Sequence, residues 1–133
     1  MLMNVIESDS SVGAIGCDSL QVSPVDLKHL RRYTLGDYAL EKEILELFLG
    51  QLPQTIKALS DAATDHDWRV AAHTLKGSGR AVGAWRVARL AELAERQFNV
   101  KNRTSCAQTV ARIEEAAAEA RTFIEATYAA DPD

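Results

Sequence analysis

The chain has 133 residues, 47% of them hydrophobic, 26% charged and 6% aromatic, with a net charge of −4. That length suits one domain, and the apolar share supplies a core, which excludes a disordered or fibrous chain. The pI of about 5.4 disfavours a globally basic nucleic-acid binder, and no window of about 18 apolar residues offers a membrane span.

Residues 1–22 read as an N-terminal tail, with Glu7, Asp9 and Asp18 but no Lys or Arg. Acids stand where a secretory leader carries basic residues, so the expected compartment is the cytoplasm. The ordered domain is expected over residues 23–130. Ser23-Pro24 pairs a capping serine with a proline at a first helical position. Asp26 then adds an acid to the first turn of a short helix through Leu27, Leu30 and Arg31, ending near Thr34-Leu35-Gly36. Asp37 can cap a second helix whose apolar stripe is Leu40, Ile44, Leu47, Phe48, Leu52, Ile56, Leu59 and Ala63. Pro53 lies inside it, so one long kinked helix from Tyr38 to about Thr64 is expected.

Thr64-Asp65-His66-Asp67 reads as a polar turn with two cap candidates. A third helix follows from Trp68 to about Val82, with Gly83 as punctuation. The fourth is expected from Ala84 to about Phe98, with Val87, Leu90, Ala91, Ala94 and Phe98 on one stripe. After a polar connection, a fifth carries Val110, Ile113, Ala117, Ala120, Ile124 and Tyr128 at spacings of three and four. No segment alternates like a strand. The expected fold is all-α, an antiparallel four-helix bundle with a short additional N-terminal helix.

The third helix is the informative one. Trp68, Ala71, Ala72, Leu75, Gly79 and Val82 cluster on one side at about 100° per residue, and His73 points about 150° from their centre. It should face solvent or a partner. Its helical neighbours are Arg69, Lys76, Gly77 and Arg80. A glycine in mid-helix costs roughly 1 kcal/mol relative to alanine, so Gly77 lacks an obvious stability reason. Neutral imidazole is a competent nucleophile toward phosphorus. A phosphoryl group on it would carry about two negative charges, which Lys76 and Arg80 are placed to offset. Position alone also fits an ordinary surface histidine on a solvated charged face.

The stretch Ala72-His73-Thr74-Leu75-Lys76-Gly77-Ser78 with Gly83 five residues on resembles the signature of histidine-containing phosphotransfer (HPt) domains. The resemblance extends back over Asp26–Gln54, including Leu35-Gly36-Asp37 and Leu47-Phe48-Leu49, and forward through Val87, Leu90, Ala91 and Glu95. It implies a four-helix bundle that carries phosphate in a multistep two-component relay. His73 would accept phosphate from a receiver-domain aspartate, on the ring nitrogen farther from the backbone, and pass it to another receiver. Lys76 would support the phosphoryl group, Gly77 would permit close approach, and Ser78 would be a small polar or helix-packing neighbour. Gly79 and Arg80 depart from the small Ser and Ala common there. Gly79 is expected to loosen the end of the helix, and Arg80 and Arg69 to add charge to the docking face. Ala94 replaces a larger aliphatic residue before the acid Glu95.

The implied partners are response-regulator receiver domains and a hybrid histidine kinase, with Mg²⁺ in the receiver and no cofactor in this chain. Neither a GxxxxGK[ST] loop nor a kinase-like glycine-rich loop occurs, so an enzyme with its own ATP site is not expected. Local charge agrees. Asp65 to Arg103 holds eight Lys or Arg and four Asp or Glu, against seven and fifteen elsewhere, a basic face suited to acidic receiver pockets. Trp85 is a candidate for an apolar ring around His73, or for packing against Trp68 or a helix end.

The alternative is a non-phosphorylated helical adaptor or inhibitor that binds a kinase or receiver. A histidine-kinase dimerisation bundle would need self-association and a longer chain, and a monomer is expected. A basic stripe of Arg86, Arg89 and Arg96 is the residue of a nucleic-acid reading that the net charge weakens. His29 and His66 have no second histidine at helical spacing and read as surface or satisfied polar groups, not metal ligands. Cys17 and Cys106 form no CxxC pair and suggest neither zinc nor a disulfide scaffold.

Overall fold

The computed structural model describes residues 23–97 and 100–129, so the expected tail, Phe98 and the extreme C-terminus lie outside the described residues. Five helices follow in order: α1 (Leu27–Thr34), α2 (Tyr38–Asp61), α3 (Asp65–Val82), α4 (Trp85–Glu95) and α5 (Arg103–Thr127). Helices α2 to α5 pack in a ring, each on the next and α5 back on α2, while α1 packs on α2 and α3. The ends show the antiparallel order. Arg103 at the start of α5 donates to the Ser60 and Ala62 carbonyls at the end of α2, and Tyr128 after α5 reaches Glu41 at the start of α2. The expected four-helix bundle with a short extra helix is therefore what the chain forms. No strand occurs among the described residues.

Local chemistry sets the helix starts. Asp26, not Ser23, caps α1, because its carboxylate accepts the His29 backbone N–H at 3.1 Å. Its own N–H is held by the Gly83 carbonyl at 2.9 Å, which docks the entry to α1 on the end of α3. The Ser23-Pro24 start is thus corrected to Leu27. Asp37 caps α2 as expected. Thr64 caps α3, taking the Asp67 N–H, so the polar turn at Asp65 is already the first turn of that helix. Helix α4 ends at Glu95, short of the expected Phe98. Leu35 and Gly36 turn the chain between α1 and α2 with φ of 55° and 84°.

Helix α2 passes Pro53 without interruption and ends at Asp61 rather than Thr64. A proline there removes the bond its N–H would give the carbonyl four residues back. That carbonyl belongs to Leu49, and Arg121 of α5 donates to it at 3.1 Å. The orphaned acceptor is satisfied from the neighbouring helix, so the helix need not split.

The buried stripe of α2 differs from the expected one. Leu45, Phe48, Leu49, Leu52, Ile56 and Leu59 are buried, whereas Leu40, Leu47 and Ala63 are exposed and Ile44 only half-buried. Leucines surround this helix, so apolar period alone leaves its rotation ambiguous. A buried carboxylate decides it. Glu41, 2% exposed, accepts the Arg31 guanidinium at 2.7 and 3.2 Å and the Tyr128 hydroxyl. A buried charge needs such partners. Chiefly the Arg31 bond, and secondarily the Tyr128 bond, hold the Glu41 carboxyl below its usual range against the opposing effect of burial. Burial, with Glu41 beside it, pushes the Tyr128 hydroxyl up.

Because the folded pKa of Glu41 is depressed, its contribution is complete above the ordinary carboxylate pKa of 4.5 and is lost as pH falls through the folded value. Glu41→Gln should therefore melt below the wild type at neutral pH. The gap should narrow as melts are taken at successively lower pH below 4.5. A gap independent of pH would show that the charge of Glu41 is not what matters.

Helices α3 and α4 are in close backbone contact at Gly79. A Cβ there would stand 3.1 Å from the Ala88 nitrogen and 3.2 Å from the Ala84 oxygen and the Ala88 Cβ. Gly79 therefore does not loosen α3 as propensity suggests; it is buried and lets two backbones meet. At Gly83, φ is +81° and a Cβ would sit 2.8 Å from the Asp26 oxygen, so both conformation and space call for glycine. Around Gly77, by contrast, nothing lies within 4 Å of an added Cβ. Alanine should then have opposite effects at two nearby sites. Gly77→Ala gains up to about 1 kcal/mol of helix propensity. Gly79→Ala spends that gain against overpacking of about 1–3 kcal/mol on rigid backbone. Thermal melts should move up for the first and down for the second.

Candidate functional site

The site is built by α3 and α4. The α3 core face, Trp68, Ala71, Ala72, Leu75, Gly79 and Val82, is buried as periodicity requires. This turns His73 outward, with its side chain 70% exposed. Gly77 is exposed one turn further on, and open space surrounds it. Gly50 on α2 is equally open, so openness alone does not single out Gly77; its place beside the imidazole does. Arg69 and Arg80 are exposed and Ser78 is half-buried.

Glu95, the last residue of α4, organises the cluster. One carboxylate oxygen lies 2.9 Å from His73 Nδ1, and the other 2.5 Å from Lys76 Nζ. The carboxyl is held below its ordinary range by the Lys76 bond first and the His73 bond second. It is therefore ionised at neutral pH and can only accept. The proton between it and a neutral imidazole must sit on Nδ1, which leaves the Nε2 lone pair on the far side of the ring. This is the atom a nucleophile needs, and the tautomer follows from Glu95.

The flanking cations are not bare. Lys76 is largely covered and paired with Glu95, and Arg80 stands 3.7 Å from Glu92, which also holds Arg96 at 3.1 Å. In the sequence Glu95 stands only as part of the family pattern, with no role of its own. The missing signal was the register of α4 against α3, which no spacing within one helix contains.

Trp85 does not ring His73. Its indole N–H donates to Asp26 at 3.0 Å, and its ring meets His29 edge-on at 4.8 Å. Of the two alternatives left open, packing at a helix end is the one found. His29 Nε2 donates to the Arg80 carbonyl at 3.0 Å, a satisfied polar role. His66 lies in the first turn of α3 and lines an open groove with Asp67, Val70 and Thr74. Among the described residues no three His, Cys, Asp or Glu side chains are grouped to hold a metal ion, and no helix is long and apolar enough to cross a membrane. Cys106 is buried, and Cys17 lies outside the described residues.

Fold and site together define an all-helical bundle that displays an imidazole, oriented by a carboxylate, on the surface of one helix pair. The family model for the Hpt domain matches residues 43–123. The chain belongs to that family, and with it has a phosphotransfer role in two-component signalling, among response regulators and kinases as partners in general. Comparisons with curated proteins and with solved structures found no match.

Proposed function

We propose that the protein is a phosphoryl carrier in a multistep phosphorelay, accepting phosphate on His73 from a receiver-domain aspartate and passing it to another receiver. The observation that carries this reading is the exposed His73 ring bonded through Nδ1 to Glu95. Nε2 attacks the phosphorus of the aspartyl phosphate. The Nε2–P bond forms, the P–O bond to the acyl group breaks, and its electron pair leaves with the aspartate carboxylate. The ring then carries the positive charge of an N-phosphoryl imidazolium. Glu95 faces its Nδ1–H and stabilises that charge, while Lys76 lies beside it to offset the phosphoryl oxygens. Return of the phosphoryl group to a second receiver reverses each step.

Phosphoryl transfer asks a protein mainly for positioning and charge. Gly77 leaves room for the incoming active site one turn from the ring. Arg69, Arg80 and Ser78 belong to the docking face, with the exposed Val70 three residues before His73. The receiver supplies Mg²⁺, and this chain works as a cytoplasmic monomer with no cofactor and no ATP site of its own. The partners are response-regulator receivers and a hybrid histidine kinase.

Incubation of the purified protein with a radiolabelled phosphorylated receiver tests this. The expected label on the protein is acid-labile and base-stable, as a phosphoramidate is, and appears as the receiver loses it. A protein that binds receivers yet acquires no label would instead be a helical adaptor.

A further inference from the structure

The carboxylate that orients His73 is the last residue of its helix. Helix ends leave carbonyls without intrahelical partners and tend to fray. Glu95 therefore needs something to fix it. The Ala94 carbonyl, one covalent bond from the Glu95 nitrogen, accepts the Trp68 indole N–H at 2.6 Å. Trp68 is 1% exposed and Ala94 is fully buried, so this bond is shielded from water and strong for its kind. Trp68 stands on the core face of α3, five residues before His73. A second tie, the Val100 N–H to Asp65 at 2.7 Å, holds the chain leaving α4 to the same turn of α3. The Gly79 contact with Ala88 fixes the other end of the pair.

We infer that Trp68 is a positioning residue for the phosphoacceptor: its N–H, by holding the Ala94 carbonyl, places Glu95 and through it selects the Nδ1-protonated form of His73. The inference rests on the carrier reading for its functional consequence, but not for its effect on the ring. The Ala94 carbonyl also accepts the Gln97 N–H at 3.0 Å. Loss of the indole donor therefore does not strand a buried acceptor, and the fold survives while Glu95 gains freedom.

The experiment replaces Trp68 alone with benzothienylalanine, a near-isostere with sulfur in place of the N–H. Trp68→Phe serves as a second variant, and melting curves confirm that each is folded. Nitrogen-15 correlation spectra of the His73 ring report the tautomer, and phosphate uptake from a labelled receiver reports function. In the isostere, the Nδ1-protonated signal should give way to a tautomer mixture, and uptake should slow about three- to tenfold, less than the roughly hundredfold of an outright misplacement, because Glu95 keeps its bond to Lys76. In a Glu95→Ala background the isostere should add no further loss. An unchanged tautomer in the folded isostere, or an equal loss with and without Glu95, overturns the inference. If the wild type takes up no phosphate, the carrier reading fails, while the ring spectra still decide whether Trp68 sets the tautomer.

Discussion

His73→Gln should abolish phosphate uptake from a receiver, by at least about a thousand-fold, because it removes the nucleophilic atom itself. It should leave the bundle intact. The side chain is 70% exposed, and substitutions at such positions usually shift stability by no more than about 0.5 kcal/mol. Glutamine can still donate an amide N–H to Glu95, so the carboxylate is not deprived of a partner. Receiver binding should persist close to the wild-type level, since the docking surface is unchanged. Label that persists in the variant would move the phosphoacceptor elsewhere. His66 and His29 are the other histidines, and His29 is committed to the Arg80 carbonyl. Loss of binding together with loss of label would instead mean that His73 acts as a contact.

The outward face of His73 was legible because α3 is regular: a fixed angle per residue carries the apolar residues inward and the histidine out. The rotation of α2 was not, because leucines at 40, 45, 47, 49, 52 and 59 leave no single apolar face. The tie is broken by the burial of Glu41 between Arg31 of α1 and Tyr128 beyond α5, partners that lie on other elements. The same reason explains Pro53. A local rule predicts a kink or a break, while the compensating donor, Arg121, belongs to α5. Gly79 differs from its propensity for the opposite cause: within one helix a glycine is a weak point, and between two helices it lets their backbones come into close contact. What one helix decides can be read along the chain. What the meeting of two helices decides, including the role of Glu95, cannot.

Glu95 is accordingly where substitutions should separate orientation from charge. Glu95→Ala removes the acceptor for Nδ1–H and the countercharge for the imidazolium, and should slow phosphate uptake about a hundredfold, the upper range for loss of a group that orients a reacting side chain. Glu95→Gln keeps an oxygen that can accept the Nδ1 proton but has no charge. Its amide can also turn and donate to Nδ1, which would place the ring proton on Nε2 and remove the lone pair that attacks phosphorus. Uptake should thus fall between wild type and alanine, with the ring spectrum showing both tautomers. Lys76 adds a second axis. It contacts the other oxygen of the same carboxylate at 2.5 Å, so Lys76→Met and Glu95→Ala act on one network and their losses should combine to less than the product. Because Lys76 is the largest influence holding the Glu95 carboxyl below its usual range, Lys76→Met should also shift upward the acid limb along which Glu95 loses its charge. Single-turnover rates for the four proteins across pH would show this. Full multiplicativity, with no movement of the acid limb, would mean that the Lys76–Glu95 contact plays no part in the transfer.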